Sequence, residues 1–173
     1  MNSPLDHEKA CELDAGGRSR CELDENLDIL RGVAMFSSIP IERLRLYAYL
    51  STRMRYGTGE FVFRQWECGN LGYVVIHGKA QVIRELKDYS VFLHEFQEGD
   101  FFGGFALFSE VPRLFSVRAA TDLECLTMNR ETFQKLFVQF PEVGIKMLNV
   151  LVRRFVLMEE KLIQAGAEEC TCS

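Results

Sequence analysis

The chain has 173 residues, 47% hydrophobic and 26% charged, the size and apolar content of one globular domain with a sizeable core. Its 20 Lys and Arg against 25 Asp and Glu give a formal charge of −5. That balance excludes a surface built to track phosphate backbones, so no DNA binding is expected of this chain alone. The longest apolar run, Phe101 to Phe108, falls far short of the roughly 20 residues of a membrane helix. Arg153 and Arg154 interrupt the C-terminal candidate, so no membrane span is expected.

Residues 1–26 are polar and hold Gly16-Gly17 and a short echo, Cys11-Glu-Leu-Asp14 and Cys21-Glu-Leu-Asp24. The segment reads as a flexible acidic arm without a secretory apolar stretch, and a cytoplasmic location follows. The six cysteines, at 11, 21, 68, 125, 170 and 172, then read as reduced thiols. Their spacings match no standard zinc site, and Cys170 with Cys172 would need Cys11 or Cys21 folded back to make one. Cys68 and Cys125 read as small loop or core residues.

A domain over 27–165 follows. Two short helices are predicted within 27–51, the first from the recurrence of Leu27, Leu30 and Ala34 and the second opened by Pro40. Over 52–129 the turn signals Tyr56-Gly-Thr-Gly-Glu60, His77-Gly-Lys79 and Glu98-Gly-Asp100 separate β-rich runs such as Tyr73–Ile76 and Val91–Leu93. This spacing predicts a sandwich, jelly roll or small barrel. Over 130–165 the pattern is helical again. Asn129 caps a helix carrying Phe133, Leu136 and Phe137, and Pro141 starts a long helix to about Ala165. Residues 166–173 are a tail.

That last helix has two apolar stripes. One is Ile145, Leu148, Val152, Phe155 and Leu162; the other is Met147, Leu151 and Met158. Burial on two sides within one chain and pairing with a second copy both account for the width. Met147, Leu151 and Met158 are the candidate interface of a homodimer.

The candidate site lies in Glu98-Gly-Asp-Phe-Phe-Gly-Gly-Phe-Ala-Leu-Phe108, continued by Ser109-Glu-Val-Pro-Arg-Leu-Phe-Ser-Val-Arg-Ala119. Adjacent glycines before a short apolar turn leave amides open to an anion, and Arg113 can return as a charged fork. A plain turn with a solvated arginine fits the same residues.

The stretch resembles the phosphate-binding cassette of the cyclic-nucleotide-binding domain family, whose form reads Phe-Gly-Glu-Leu-Ala-Leu, a spacer, then Pro-Arg-Ala-Ala-Thr-Val. The match has no gap. Met35-Phe36, Tyr56-Gly-Thr-Gly-Glu60, Gln65-Trp66-Glu67, Gly69-Asn70, Tyr73-Val-Val-Ile-His-Gly78, Arg130-Glu-Thr-Phe133 and Pro141 also fall where the family has similar residues. The resemblance covers about residues 27–155. It implies a mainly β fold, an antiparallel β-roll with flanking helices and a long C-terminal helix.

It also implies a ligand site at Gly103, Gly104, Phe105, Ala106, Arg113, Leu114, Phe115 and Ser116, with cyclic AMP or cyclic GMP as candidate ligands. In the family the cassette Glu accepts the ribose 2′-hydroxyl, the Arg pairs with the cyclic phosphate, and ligand capture repositions the C-terminal helix. Here Gly104 stands at the Glu position, Leu114 and Phe115 replace small residues, and Trp66 replaces a turn glycine. Cyclic nucleotide is therefore expected to bind weakly, or another anion to take its place. Phe102, Phe105, Phe108 and Phe115 either line such a pocket or pack the core.

No catalytic machinery is evident. His7, His77 and His94 lie at no metal-ligand spacing, and no nucleophile elbow, P-loop or carboxylate pair occurs. The expectation is a stand-alone regulatory sensing domain, not an enzyme, acting on an unnamed protein partner because too few residues follow Ala165 for a DNA-binding module. The alternative is a non-sensing dimerisation or protein-interaction module on the same fold.

Overall fold

The computed structural model describes residues 11–13, 19–33, 36 and 39–139, with separate helical positions between 141 and 160. Strands β1 (Cys11–Leu13) and β2 (Ser19–Cys21) form an antiparallel pair, followed by α1 (Glu22–Gly32) and α2 (Ile41–Leu50). The first helix thus begins inside the segment expected to be a loose arm. Its start is fixed from far along the chain: Arg53 Nε donates to Asn26 Oδ1 at 2.9 Å and Nη2 to Glu25 Oε2 at 2.8 Å. Pro40 is the N-cap of α2, with φ −54° and ψ 141°. Its fixed φ leads directly into the helix.

The roll comprises β3 (Thr52–Tyr56), β4 (Phe61–Phe63), β5 (Leu71–His77), β6 (Ala80–Glu85), β7 (Ser90–Phe96), β8 (Phe101–Phe102), β9 (Ser116–Ala119) and β10 (Leu123–Asn129). They make two four-stranded antiparallel sheets, ordered β3-β10-β5-β8 and β4-β9-β6-β7. Alternating residues of each strand face the interior, where Phe63, Tyr73, Val75, Val82, Phe102, Val117, Leu123 and Cys125 meet. Tyr73, Phe102 and Phe96 stack at 5.0 and 4.8 Å between successive ring centroids. Phe102 is therefore core packing.

Strand β5 is buried over four consecutive residues, Gly72 to Val75, because its outer face is also covered. The short helix α3 (Phe105–Phe108) lies so close that a Cβ on Gly72 would meet Leu107 Cδ1 at 2.9 Å. Asn129 caps α4 (Arg130–Gln139) as expected, its Oδ1 accepting from Thr132 N at 2.8 Å.

Residues 137–173 form a second unit. The described positions from 141 to 160 are helical, and Ile145, Leu148, Val152 and Val156 are exposed. The full course of the predicted long helix, with Met147, Leu151, Phe155, Met158 and Leu162, lies outside the described residues, as do Cys170 and Cys172.

Candidate functional site

The cassette is built at the Leu71 end of β5. Strand β8 delivers Gly103 at φ +76°, a conformation favouring glycine. A Cβ there would also come within 3.0 Å of both Arg113 Nη1 and the Leu71 carbonyl. Gly104 has ordinary helical angles, φ −58° and ψ −31°, so its missing side chain has a different reason. A Cβ at 104 would meet the Phe101 ring at 2.7 Å. That ring is set edge-on against Phe36 at 6.0 Å. At the position that the resemblance aligns with the family's carboxylate, an aromatic ring lies over a glycine.

Arg113 is only 7% exposed. Its Nη2 donates to Leu71 O at 2.8 Å and its Nη1 to Gly103 O at 3.2 Å, while Nε is buried without a partner. The guanidinium carbon lies 4.2 Å from the Phe63 ring centroid. Burial lowers the Arg113 pKa from its ordinary value, and the positive Arg130 pushes the same way. An arginine never loses its proton under these conditions, so a charge is held in the interior on neutral carbonyls. Tyr73, beside it, is pushed up by burial.

Arg130, which the resemblance aligned without giving it a role, holds the same two stretches of chain. Its Nη2 donates to Gly69 O at 2.9 Å and its Nε to Ala106 O at 2.6 Å. Both arginines thus clip residues 69–71 to the cassette turn, 103–106. Among the described residues neither has a carboxylate oxygen within 4.0 Å. No sequence spacing advertises this pair, because every partner is a main-chain carbonyl.

The other candidates are dispersed. Ala106 is buried and its amide donates to Gly103 O at 3.1 Å. Phe105 and Leu114 are exposed, while Phe108 packs edge-on against Phe133 at 5.2 Å. Phe115 turns inward against Phe63, with centroids 6.2 Å apart. Ser116 is fully buried, donating to Glu85 Oε1 at 3.0 Å and accepting from Gln65 N at 2.9 Å. Its hydroxyl is spent inside the protein, since position 116 faces the side of β9 where the Gln65 turn meets β6. No metal-holding group of His, Cys, Asp and Glu occurs among the described residues, and no described helix is long and apolar enough to cross a membrane.

A β-roll with a buried arginine beside a glycine-led turn defines a class of regulatory ligand-sensing domains, and the sequence comparison agrees. The family model for the cyclic nucleotide-binding domain matches residues 53–140, and the chain belongs to that family. It is 31% identical over 108 residues to the cAMP-dependent protein kinase regulatory subunit of Emericella nidulans, covering 62% of this chain and 26% of that protein. It is 27% identical over 123 residues to cGMP-dependent protein kinase 2 of Mus musculus, covering 69% of this chain and 16% of that protein. The chain therefore corresponds to a minor part of these relatives. Among solved structures, the Thermus thermophilus catabolite activator protein superposes with a TM-score of 0.71 at 27% identity, over 76% of this chain and 62% of that one.

Proposed function

We propose that the domain senses a small anion captured at Arg113 and that cyclic AMP and cyclic GMP bind there weakly. The observation that carries this reading is the buried guanidinium with an unpartnered Nε and, among the described residues, no carboxylate oxygen within 4.0 Å. A buried unpaired cation is destabilising unless something is gained from it. The free Nε–H and the second N–H on each terminal nitrogen supply donors for a bidentate contact. The Gly103-Gly104 turn and the amide of Phe105 complete the candidate ligand set, whereas Leu114 forms only its rim. Losing the charge-assisted bond of a cassette carboxylate costs about 1.5–3 kcal/mol, which accounts for weak nucleotide binding. We assign the chain a regulatory and not a catalytic role, acting through a protein partner. A reducing, cytoplasmic setting suits the exposed thiol of Cys68.

Titration calorimetry with both cyclic nucleotides tests the site. Wild type should bind more weakly than about 1 μM, and Arg113→Ala should not bind. Tight wild-type binding that survives Arg113→Ala removes the reading.

The second reading is an interaction module, favoured by the exposed apolar positions Ile145, Leu148, Val152 and Val156, spaced as one helical stripe. The homodimer expected through Met147, Leu151 and Met158 belongs to this proposal. Light scattering of wild type against Leu148→Glu with Val152→Glu decides whether the stripe joins two copies.

A further inference from the structure

We infer that the exposed stripe within residues 141–153 is covered by the same stripe of a second copy of this chain, the two helices running antiparallel. The inference deepens the interaction-module reading, on which it rests, by committing the stripe to one partner and one orientation.

The described positions Pro141, Ile145, Leu148 and Val152 are helical and exposed, and the last three keep 63%, 58% and 50% of their surface open. Steps of four, three and four residues hold them on one side of a helix. Such a row left in water forgoes the apolar burial that drives association. The same steps are read from either end. A two-fold axis midway between Ile145 and Leu148 therefore sets Ile145 against the partner's Leu148 and Pro141 against the partner's Val152, and each contact occurs twice.

Charge chooses this orientation over the parallel one. Glu142 and Arg153 lie on the same flank of the stripe, about three helical turns apart. An antiparallel pair brings each flank against its own copy. With the axis so placed, Glu142 comes within two residues, about 3 Å along the helix, of the partner's Arg153, and Arg153 likewise of the partner's Glu142. Parallel helices in register leave the two about 16 Å apart along the axis. Asn149, between them on that flank, is neutral, and Glu160 falls outside the overlap.

Glu159 weighs the same way. Steps of four and three carry the stripe from Val152 through Val156 to Glu159, which is exposed. Parallel pairing would set this carboxylate on its own copy, two like charges on the seam. In the antiparallel pair the position opposite Glu159 lies beyond the partner's Pro141, clear of the overlap.

Light scattering of the full chain under reducing conditions, over a series reaching about 100 μM, should show a dimer. Glu142→Arg and Arg153→Glu should each weaken it by about threefold or more, and the two together in one chain should return it to within about twofold of wild type. Orientation is read separately by mixing Ile145→Cys chains with Leu148→Cys chains, oxidising them mildly and mapping the disulfides by tryptic mass spectrometry. Cleavage at Lys146 separates the two positions. Links from 145 to 148 between copies should outnumber those from 145 to 145 and from 148 to 148.

A monomer throughout the series removes the homodimer of the interaction-module reading together with this inference. A dimer in which the 145–145 and 148–148 links prevail, or in which the paired charge exchange restores nothing, overturns the antiparallel pairing and leaves that reading standing. If the exchanged chain does not fold, the cross-links decide alone.

Discussion

The two ends of β5 use charge in opposite ways. At the His77 end the charged groups meet partners: Arg55 with Glu124, Lys79 with Glu95 at 2.9 Å, and His77 Nδ1 2.9 Å from Glu98 Oε1. The Asp122 carboxylate there accepts from both the amide and the hydroxyl of Thr58, at 3.1 and 3.0 Å. At the Leu71 end, Arg113 and Arg130 are held on carbonyls alone. The first end spends its polar groups on closing turns; the second holds two guanidiniums on main-chain carbonyls beside the cassette turn. The contrast separates residues whose loss should unfold the roll from residues whose loss should silence it.

The largest effect is expected at the turn end. Gly78 has φ +85°, and a Cβ on it would run into the Asp122 carbonyl. Gly78→Ala combines left-handed strain with a backbone clash and should destabilise by about 3 kcal/mol or more. Thermal melting should then fall by roughly 6–12 °C for a chain of this size. An unchanged melting temperature would show that the Gly78–Asp122 approach is not held in solution.

A matched pair of substitutions sets the fold's arginine against the site's. Arg53→Met strands the buried Asn26 and leaves Glu25 without its cation, and should cost about 2–3 kcal/mol. Arg113→Met removes a desolvated charge along with two bonds to carbonyls, so its stability should stay within about 1 kcal/mol of wild type while anion binding is lost. Chemical denaturation and calorimetry on the same two proteins measure both quantities. A larger loss at Arg113 than at Arg53 would make Arg113 a structural group.

Two buried groups, one in the roll interior and one on α2, have their own signature in alkali. Burial pushes the Cys125 thiol up to about 12 from 9.0 and the Tyr47 hydroxyl up to about 12 from 10.0. Above pH 9 the unfolded chain has released the thiol proton that the folded chain retains. Stability should therefore fall as pH rises from 9, by up to about 1.4 kcal/mol per pH unit for each such group. Cys125→Ala should flatten the portion between pH 9 and 10, and urea midpoints across that range check it. At pH 8 a thiol reagent should modify exposed Cys68 and spare Cys125.

Much of this was legible in the sequence because its signals are local. The turn glycines, the Asn129 cap, the β-rich runs and the cassette order each sit within a few residues of the feature they specify. What was not legible depends on distant partners. The α1 start at Glu22 is fixed by Arg53, 28 residues from Glu25. Arg130 gained a role only when folding brought Ala106 and Gly69, 24 and 61 residues away, to its guanidinium. Ser116 matched the family's hydroxyl position, yet the sheet register gave its oxygen to Gln65 and Glu85. Gly104 read as a lost carboxylate; the fold adds that Phe101 has taken the space.

The smallest expected effect lies in the turn leading to the cassette. The described turns with positive φ use Gly59, Gly78, Gly99 and Gly103, and the one exception is Trp66 at φ 71°. Its amide donates to Arg113 O at 2.8 Å, while its ring is 60% exposed with Arg84 Cζ 5.0 Å from the centroid. A left-handed non-glycine residue costs about 1–2 kcal/mol, and an exposed cation–π contact returns about 0.5–1. Trp66→Gly relieves the first and loses the second, and it adds about 0.5–1 kcal/mol of chain entropy to folding. These terms nearly cancel, so its melting temperature should stay within about 2–4 °C of wild type. Trp66→Ala loses the same ring contact but keeps the strain, and should melt below wild type and below Trp66→Gly. The gap between the two variants reads the backbone strain less the chain entropy that glycine adds, about 0.5–1 kcal/mol. If Trp66→Gly melts below Trp66→Ala by the full entropy cost of glycine, Arg113 O does not hold the turn at positive φ, and this turn stores no conformational strain.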